Sequence, residues 1–266
     1  MGSQVRKAPV RTKSRLRKGF RWVFLAVLGI FIGLLGYEAI ILARVARLHF
    51  ENPATTSLMD TRASDARSRG EQVKRQQVWV PLERISATLQ RAILAGEDTN
   101  FVAHNGFDYE AIQKVWDQAQ SEAAKDAEKD GSDQADWLPY LPDFKRGAST
   151  ITQQLAKNLY LSSQRTFLRK GQEAIITIFL ERLLTKPRIL ELYLNVIEWG
   201  DGVYGAEAAS QHYFHKSAAN LSVNETAFLS AIVPNPRTVF NPQVNPRRVA
   251  RRQRIILRGM PYVKLP

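Results

Sequence analysis

From Trp22 to Tyr37 the chain runs for sixteen residues without a charge, and after Glu38 an apolar Ala39–Ala43 segment resumes. As a helix, the 22 residues from Trp22 to Ala43 span about 33 Å, roughly one bilayer hydrocarbon core. Trp22 and Tyr37 suit the two interfaces, and Glu38 falls near the far end, where a charge is tolerable. Residues 1–21 hold eight Lys and Arg and no acid. That flank argues against a buried core helix. The length of the run, and the lack of a small-x-small cleavage site, argue against a removed leader. The positive-inside rule then predicts a cytoplasmic tail over 1–21, a transmembrane helix over 22–43 and everything after it outside.

Charge distribution supports this partition. The formal charge is +13, which by itself invites a nucleic-acid partner. Eight basic residues lie in the tail, and eight more lie in 237–266, again without an acid; the stretch 22–236 sums to −3. A body close to neutral argues against nucleic acid. Cysteine is absent, so disulfides, thiolate metal sites and thiol catalysis are excluded.

The segment 44–80 is mixed, polar and weakly periodic, and reads as a stalk or a membrane-proximal entry segment. From Pro81 to Pro266 helical spacing dominates and the fold is predicted mainly α. Ile85, Leu89, Ala92, Ile93 and Gly96 share one face. Ser149 is placed to cap a helix carrying Ile151, Leu155 and Leu159. Residues 167–184 read as helix, and Pro187 suits the first turn of the next one. Ser222 and Glu225 form a capping box, and Pro234 and Pro236 stop the helix that follows. No run of strands, nucleotide-binding glycine pattern or repeat is evident. Within 109–146, the stretch Asp117–Asp136 carries seven acids and two lysines and reads as a solvated, mobile insertion.

Three constellations bear on chemistry. Glu97 lies four residues beyond Ile93 on the apolar stripe, near a helix C-terminus. Burial and the helix dipole both raise a carboxyl pKa there, as a general base near neutral pH requires. A pair of solvated helix-end acids, Glu97 and Asp98, is the other reading. Gln154 and Lys157 share a helix face, and Arg169, Lys170 and Glu173 cluster at helical spacing, with Arg165 nearby. Such cations suit a diphosphate, although an ordinary salt-bridged face has the same pattern. The glycine turn from Gly200 to Gly205 reads as structural. His104, His212 and His215 lack metal-ligand spacing.

Longer motifs are more specific. Glu97-Asp98-x-x-Phe101-x-x-His104-x-Gly106-Phe107-Asp108 resembles the first signature of the peptidoglycan glycosyltransferases, glycosyltransferase family 51. Arg146-Gly-Ala-Ser-Thr-Ile-Thr-Gln-Gln-Leu-Ala-Lys157-Asn158 is similar to the second, and Arg169-Lys170-x-x-Glu173 to the third. Ile189-Leu-Glu-Leu-Tyr-Leu-Asn195 with the glycine turn is similar to the fourth, and the stretch from Leu221 to Pro236 to the fifth. All stand in order within 82–259. The resemblance is strongest to monofunctional members, which have a short cytoplasmic tail and one membrane helix. No Ser-x-x-Lys or Lys-Thr-Gly pattern of a transpeptidase is found.

The resemblance implies a lysozyme-like glycosyltransferase domain over 81–266 with a smaller membrane-contacting lobe. It implies polymerisation of lipid II into β-1,4-linked glycan strands with inversion and release of undecaprenyl diphosphate. Carried over, Glu97 is the general base on the acceptor 4-hydroxyl. Lys157, Arg165, Arg169 and Glu173 surround the donor diphosphate, Glu173 through a divalent cation (Mg or Mn) if one takes part; no organic cofactor is implied. Ser149 and Gln154 line the donor site, and Asp98 assists Glu97 or holds local structure. The expected partners are lipid II as donor and acceptor, the growing glycan chain, membrane lipids and cell-wall synthesis or division proteins, not nucleic acid. The expected location is the cell inner membrane, single-pass, with a periplasmic catalytic domain. A lytic transglycosylase on the same architecture would not need the cations around Lys157, and a non-catalytic lipid II-binding scaffold would not need Glu97 and Glu173.

Overall fold

The computed structural model describes residues 12–130, 149–161 and 166–266. The chain divides into two units, Met1–Arg44 and Val45–Pro266. The first is made by helix α1 (Thr12–Arg47). Its Gly19–Arg47 segment has 29 residues and a mean hydropathy of 2.3, and among the described residues it alone is long and apolar enough to cross a membrane. Consecutive Ile30, Phe31 and Ile32 are all more than half exposed, so apolar side chains surround the helix instead of forming one stripe. A water-facing helix does not look like this. A membrane anchor does.

The second unit contains α2 (Ser57–Ser68), α3 (Ala87–Glu97), α4 (Tyr109–Asp130), α5 (Ile151–Tyr160), α6 (Phe167–Leu183) and α7 (Lys186–Val196). It continues with α8 (Ala206–Phe214), α9 (Val223–Ile232) and α10 (Pro246–Gly259). Short strands β1 (Gln76–Gln77), β2 (Glu198–Gly200) and β3 (Val203–Tyr204) form a sheet in the order β1-β3-β2, with β1 parallel and β2 antiparallel to β3. The fold is mainly α, as expected. The small sheet was not expected, because two- and three-residue strands are too short to show an alternating pattern.

Helix α7 is the central element. Ile189, Leu190, Leu192, Tyr193, Leu194 and Val196 are all fully buried. Thr185 caps its N-terminus by accepting from the Arg188 amide, with Pro187 in the first turn. Asn195 is also fully buried, and it acts as a substitute strand. Its Oδ1 accepts from the Val80 amide at 2.9 Å, while Nδ2 donates to the Val80 carbonyl at 2.9 Å and the Glu191 carbonyl at 2.8 Å. The chain on either side of β3 needs two glycines. Gly202 has φ +75°, and a Cβ there would lie 2.7 Å from the Lys74 carbonyl oxygen; Gly205 has φ +83°, and a Cβ there would lie 2.8 Å from that of Asn195.

Four expectations need correction. Residues 44–80 are not a stalk: they hold α2 and β1 and belong to the folded unit, where Arg62 donates to Glu198 at 2.8 Å. A helix that buries only Met59 hides its periodicity. The acidic stretch from Asp117 continues α4 as far as Asp130, its remainder lying outside the described residues; Glu, Lys, Gln and Ala are good helix formers whatever their net charge. The cap of α5 is Thr150, not Ser149, because Gln153 completes a reciprocal capping box with Thr150. Ile85 is buried but precedes α3, which Ser86 caps. Helix α6 leaves Phe167, Leu168, Ile175 and Ile178 exposed, an apolar surface suited to the expected membrane-contacting lobe.

Asn195→Ala strands the amide and carbonyl of Val80. Denaturant unfolding of the full chain in detergent should show a loss of at least about 2 kcal/mol; an unchanged midpoint would contradict the bridging role.

Candidate active site

Glu97 is the last residue of α3, and the stripe of Leu89 and Ile93 carries it into the protein. Three elements converge on it. From α10, Arg252 Nη2 donates to Glu97 Oε1 at 2.7 Å and to the Gly96 carbonyl at 2.7 Å. From α5, Gln154 Nε2 donates to Glu97 Oε2 at 2.9 Å. From α7, the Tyr193 hydroxyl donates to Gln154 Oε1 at 2.9 Å, which fixes the amide with its NH2 toward the carboxylate. Close approach depends on Gly96. A Cβ at that position would lie 2.6 Å from Ser230 Oγ of α9 and 3.3 Å from Ile256 Cδ1 of α10.

The Glu97 side chain is 8% exposed. Burial raises its pKa from the ordinary carboxylic value, against the opposing pull of Arg252, Gln154 and Lys157. Burial, with the charges of Glu97 and Asp98, also pushes the Tyr193 phenol well above its usual pKa, so it stays a neutral donor. The site therefore holds a proton acceptor of increased basicity whose two oxygens have different partners, a guanidinium and an amide.

Asp98 has a different role. Its Oδ1 lies 2.9 Å from His104 Nε2, and Oδ2 accepts from the Ile151 amide at the start of α5 at 2.9 Å. With its side chain 2% exposed and both oxygens engaged, it ties the end of α3 to the start of α5. An anion at a helix N-terminus is a favourable contact in its own right. This is the local structural role, and substrate contact by Asp98 is not needed to explain it.

Beyond Gln154, one turn along α5, stands Lys157. The protein packed around its ammonium lowers its pKa, although the side chain keeps an open face to solvent; Glu173 and Glu97 oppose the shift, and Arg169 and Lys170 add to it. Glu173 is buried on α6, with Arg169 Nη1 at 2.8 Å from Oε2 and Lys170 paired to Oε1. Among the described residues Lys157 has no direct ion pair, so its charge is available to an anion. Ser149 and Thr150 line a cleft of about 180 Å³ with Glu97, Asp98 and Asp108, and the Ser149 carbonyl is 3.5 Å from Gln154 Nε2. Arg165 lies outside the described residues.

A divalent cation held by the protein does not fit Glu173. A hard cation takes several oxygen ligands. Glu173 offers one carboxylate, each oxygen of which faces a cationic side chain. No trio of His, Asp or Glu with metal-holding geometry occurs among the described residues.

The structure thus joins Glu97, Gln154, Lys157, Arg169 and Glu173, with Ser149 at the cleft wall. It adds Tyr193 and Arg252, which in the sequence stand within the Ile189–Asn195 motif and among the eight basic residues of 237–266. One signal for Arg252 existed: it falls between Val249 and Ile256, the two buried apolar residues of α10.

A family model described as Transglycosylase matches residues 65–132 and 139–261. The chain is 40% identical over 259 residues to the biosynthetic peptidoglycan transglycosylase of Bordetella avium, covering 97% of this chain and 100% of that one. It is 42% identical over 246 residues to the protein of that name from Dechloromonas aromatica, covering 92% and 98%. With the one from Bordetella pertussis it shares 38% over 258 residues, covering 97% and 100%.

Because the Arg252 charge favours ionised Glu97, Arg252→Met should raise the Glu97 pKa by about 1–3 units in a carboxyl-carbon NMR titration, with Arg252→Lys restoring part of the shift. An unmoved titration would remove Arg252 from the site.

Proposed function

The chain belongs to the transglycosylase family, and from that premise we propose how its side chains divide the work. It is a peptidoglycan glycosyltransferase that polymerises glycan strands for cell-wall synthesis. The finer reading is that the donor is a lipid-linked sugar diphosphate, lipid II or the strand grown from it, and the acceptor is the 4-hydroxyl of a second lipid II. The observation that carries it is a buried carboxylate, Glu97, that feels the charge of Lys157 one turn along α5 from its partner Gln154, with Arg169 and Lys170 paired to Glu173 beside that lysine.

In this reading the acceptor oxygen attacks the donor anomeric carbon and forms the new C–O bond. The bond from that carbon to the diphosphate breaks on the opposite face, and its electron pair leaves with the phosphate oxygen. The hydroxyl proton passes to Glu97, and inversion gives the β-1,4 linkage. Arg252 holds Oε1 through a charge-assisted bond, so Oε2, which has only the Gln154 amide, is the oxygen that takes the proton. A diphosphate leaves with modest help, and a lysine without an ion pair supplies a compact charge for it. Arg169 and Lys170 keep Glu173 neutralised in its buried position, so that it does not repel the phosphates. Arg165 joins this cationic group by resemblance.

Orientation is part of the proposal. The basic flank of residues 1–21 supports a cytoplasmic N-terminus, with the catalytic unit on the periplasmic face of the inner membrane, where the lipid-linked substrate is. A strand-cleaving enzyme is the weaker reading, since a sugar polymer offers no diphosphate to the Lys157 cluster.

Incubation of the purified full chain with labelled lipid II, resolved on a glycan gel, tests the assignment. Glu97→Gln should lower strand synthesis by about 10²–10⁴ with an unchanged circular dichroism spectrum; near wild-type ladders would sink the base assignment. Lys157→Ala should weaken the dependence of rate on lipid II concentration at low substrate, and an unaltered saturation curve would contradict diphosphate binding.

A further inference from the structure

Helix α10 has two charged faces with different duties. Arg252 points inward to Glu97. On the opposite side, Arg247, Arg248, Arg251, Arg254 and Arg258 are all exposed. None of the five forms an ion pair or side-chain hydrogen bond with a described residue. Their spacing of three and four places them on one side of the helix, while Val249, Ile256 and Met260 pack on the other. Apolar groups sit within the cationic stripe and at its ends: Ile255 is 61% exposed, Val244 65% and Tyr262 87%. No acid occurs anywhere in 237–266, whereas 22–236 is slightly acidic.

Five unpaired arginines on one helix face repel each other, and in a protein alone they gain nothing from being together. We propose that this stripe docks on an anionic lipid surface, with the guanidinium groups on phospholipid phosphates and Ile255 and Tyr262 inserted at the headgroup level. The pattern favours lipid over a soluble polyanion because a polyanion gives no return for exposed isoleucine and valine among the cations. An interfacial amphipathic helix uses both at once. The chain's own membrane-spanning helix also keeps a bilayer at high local concentration. Docking would give the catalytic unit a second, salt-sensitive attachment, made by the helix whose inner face holds the base.

The absence of cysteine makes the test clean. Ile255→Cys in the full chain is labelled with an environment-sensitive fluorophore, and the protein is placed in nanodiscs of phosphatidylcholine alone or mixed with phosphatidylglycerol. Val73→Cys, exposed and outside α10, is the control. Expected are a blue shift at position 255 only in the anionic discs, its reversal by salt, and its loss when Arg247, Arg251, Arg254 and Arg258 are changed to Glu. Identical emission at 255 in both disc types overturns the proposal, as does an equal shift of the Val73→Cys label. A shift of the same size produced by soluble polyglutamate in phosphatidylcholine discs would assign the stripe to an acidic polymer instead, and likewise overturns it. The lipid and salt comparisons do not depend on the folding of the fourfold variant. No substrate is present, so the outcome is separate from the polymerisation assay.

Discussion

A carboxylate buried at the C-terminal end of a helix is unfavourable twice over, by desolvation and by the dipole, and it persists only if other elements come to it. Glu97 is such a carboxylate, and the arrangement of the catalytic unit follows from what it needs. Helix α10 supplies Arg252, α5 supplies Gln154, and α7 supplies the Tyr193 hydroxyl that orients Gln154. Asp98, the next residue, ties α3 to the start of α5, so the element that carries Gln154 and Lys157 is fixed relative to the base. The cost of burial is thus turned into basicity, as a proton acceptor near neutral pH requires.

The donor side is built on the opposite principle. Glu97 lacks charge compensation sufficient to return its pKa to the usual range, whereas Glu173 has two cations for one carboxylate. The local surplus of positive charge at Lys157, Arg169 and Lys170 is felt by Glu97 through Lys157. A carboxylate on α3 set apart from cations on α5 and α6 is the arrangement that the proposed transfer from a diphosphate would use and that hydrolysis of a sugar chain would not need.

Much of this was legible in the sequence, for local reasons. Glu97 stands out because it interrupts an apolar stripe at helical spacing, and Gln154 with Lys157, or Arg169 with Glu173, are pairs within one or two turns. The capping boxes at Thr150 and Ser222 are equally local, though the choice of Thr150 over Ser149 turns on Gln153, three residues beyond Thr150. What was illegible is long-range. Arg252 meets Glu97 from 155 residues away, Asn195 pairs with Val80 from 115 away, and the sheet joins β1 to β3 across most of the unit. Polar α2 was misread because it buries only Met59, and acidic α4 because its dense charge draws the eye from a composition of good helix formers.

Gly96 shows where such a site is vulnerable to drift. It has no side chain with which to make a bond, yet the space it leaves is occupied by Ser230 of α9 and by Ile256 of α10, the helix that carries Arg252. A single added methyl would press on both, and the strain would reach the base as a change in its counter-charge rather than as a loss of fold. The approach of α9 and α10 to the end of α3 thus rests on an absence of atoms, which no inventory of functional groups in the cleft would reveal.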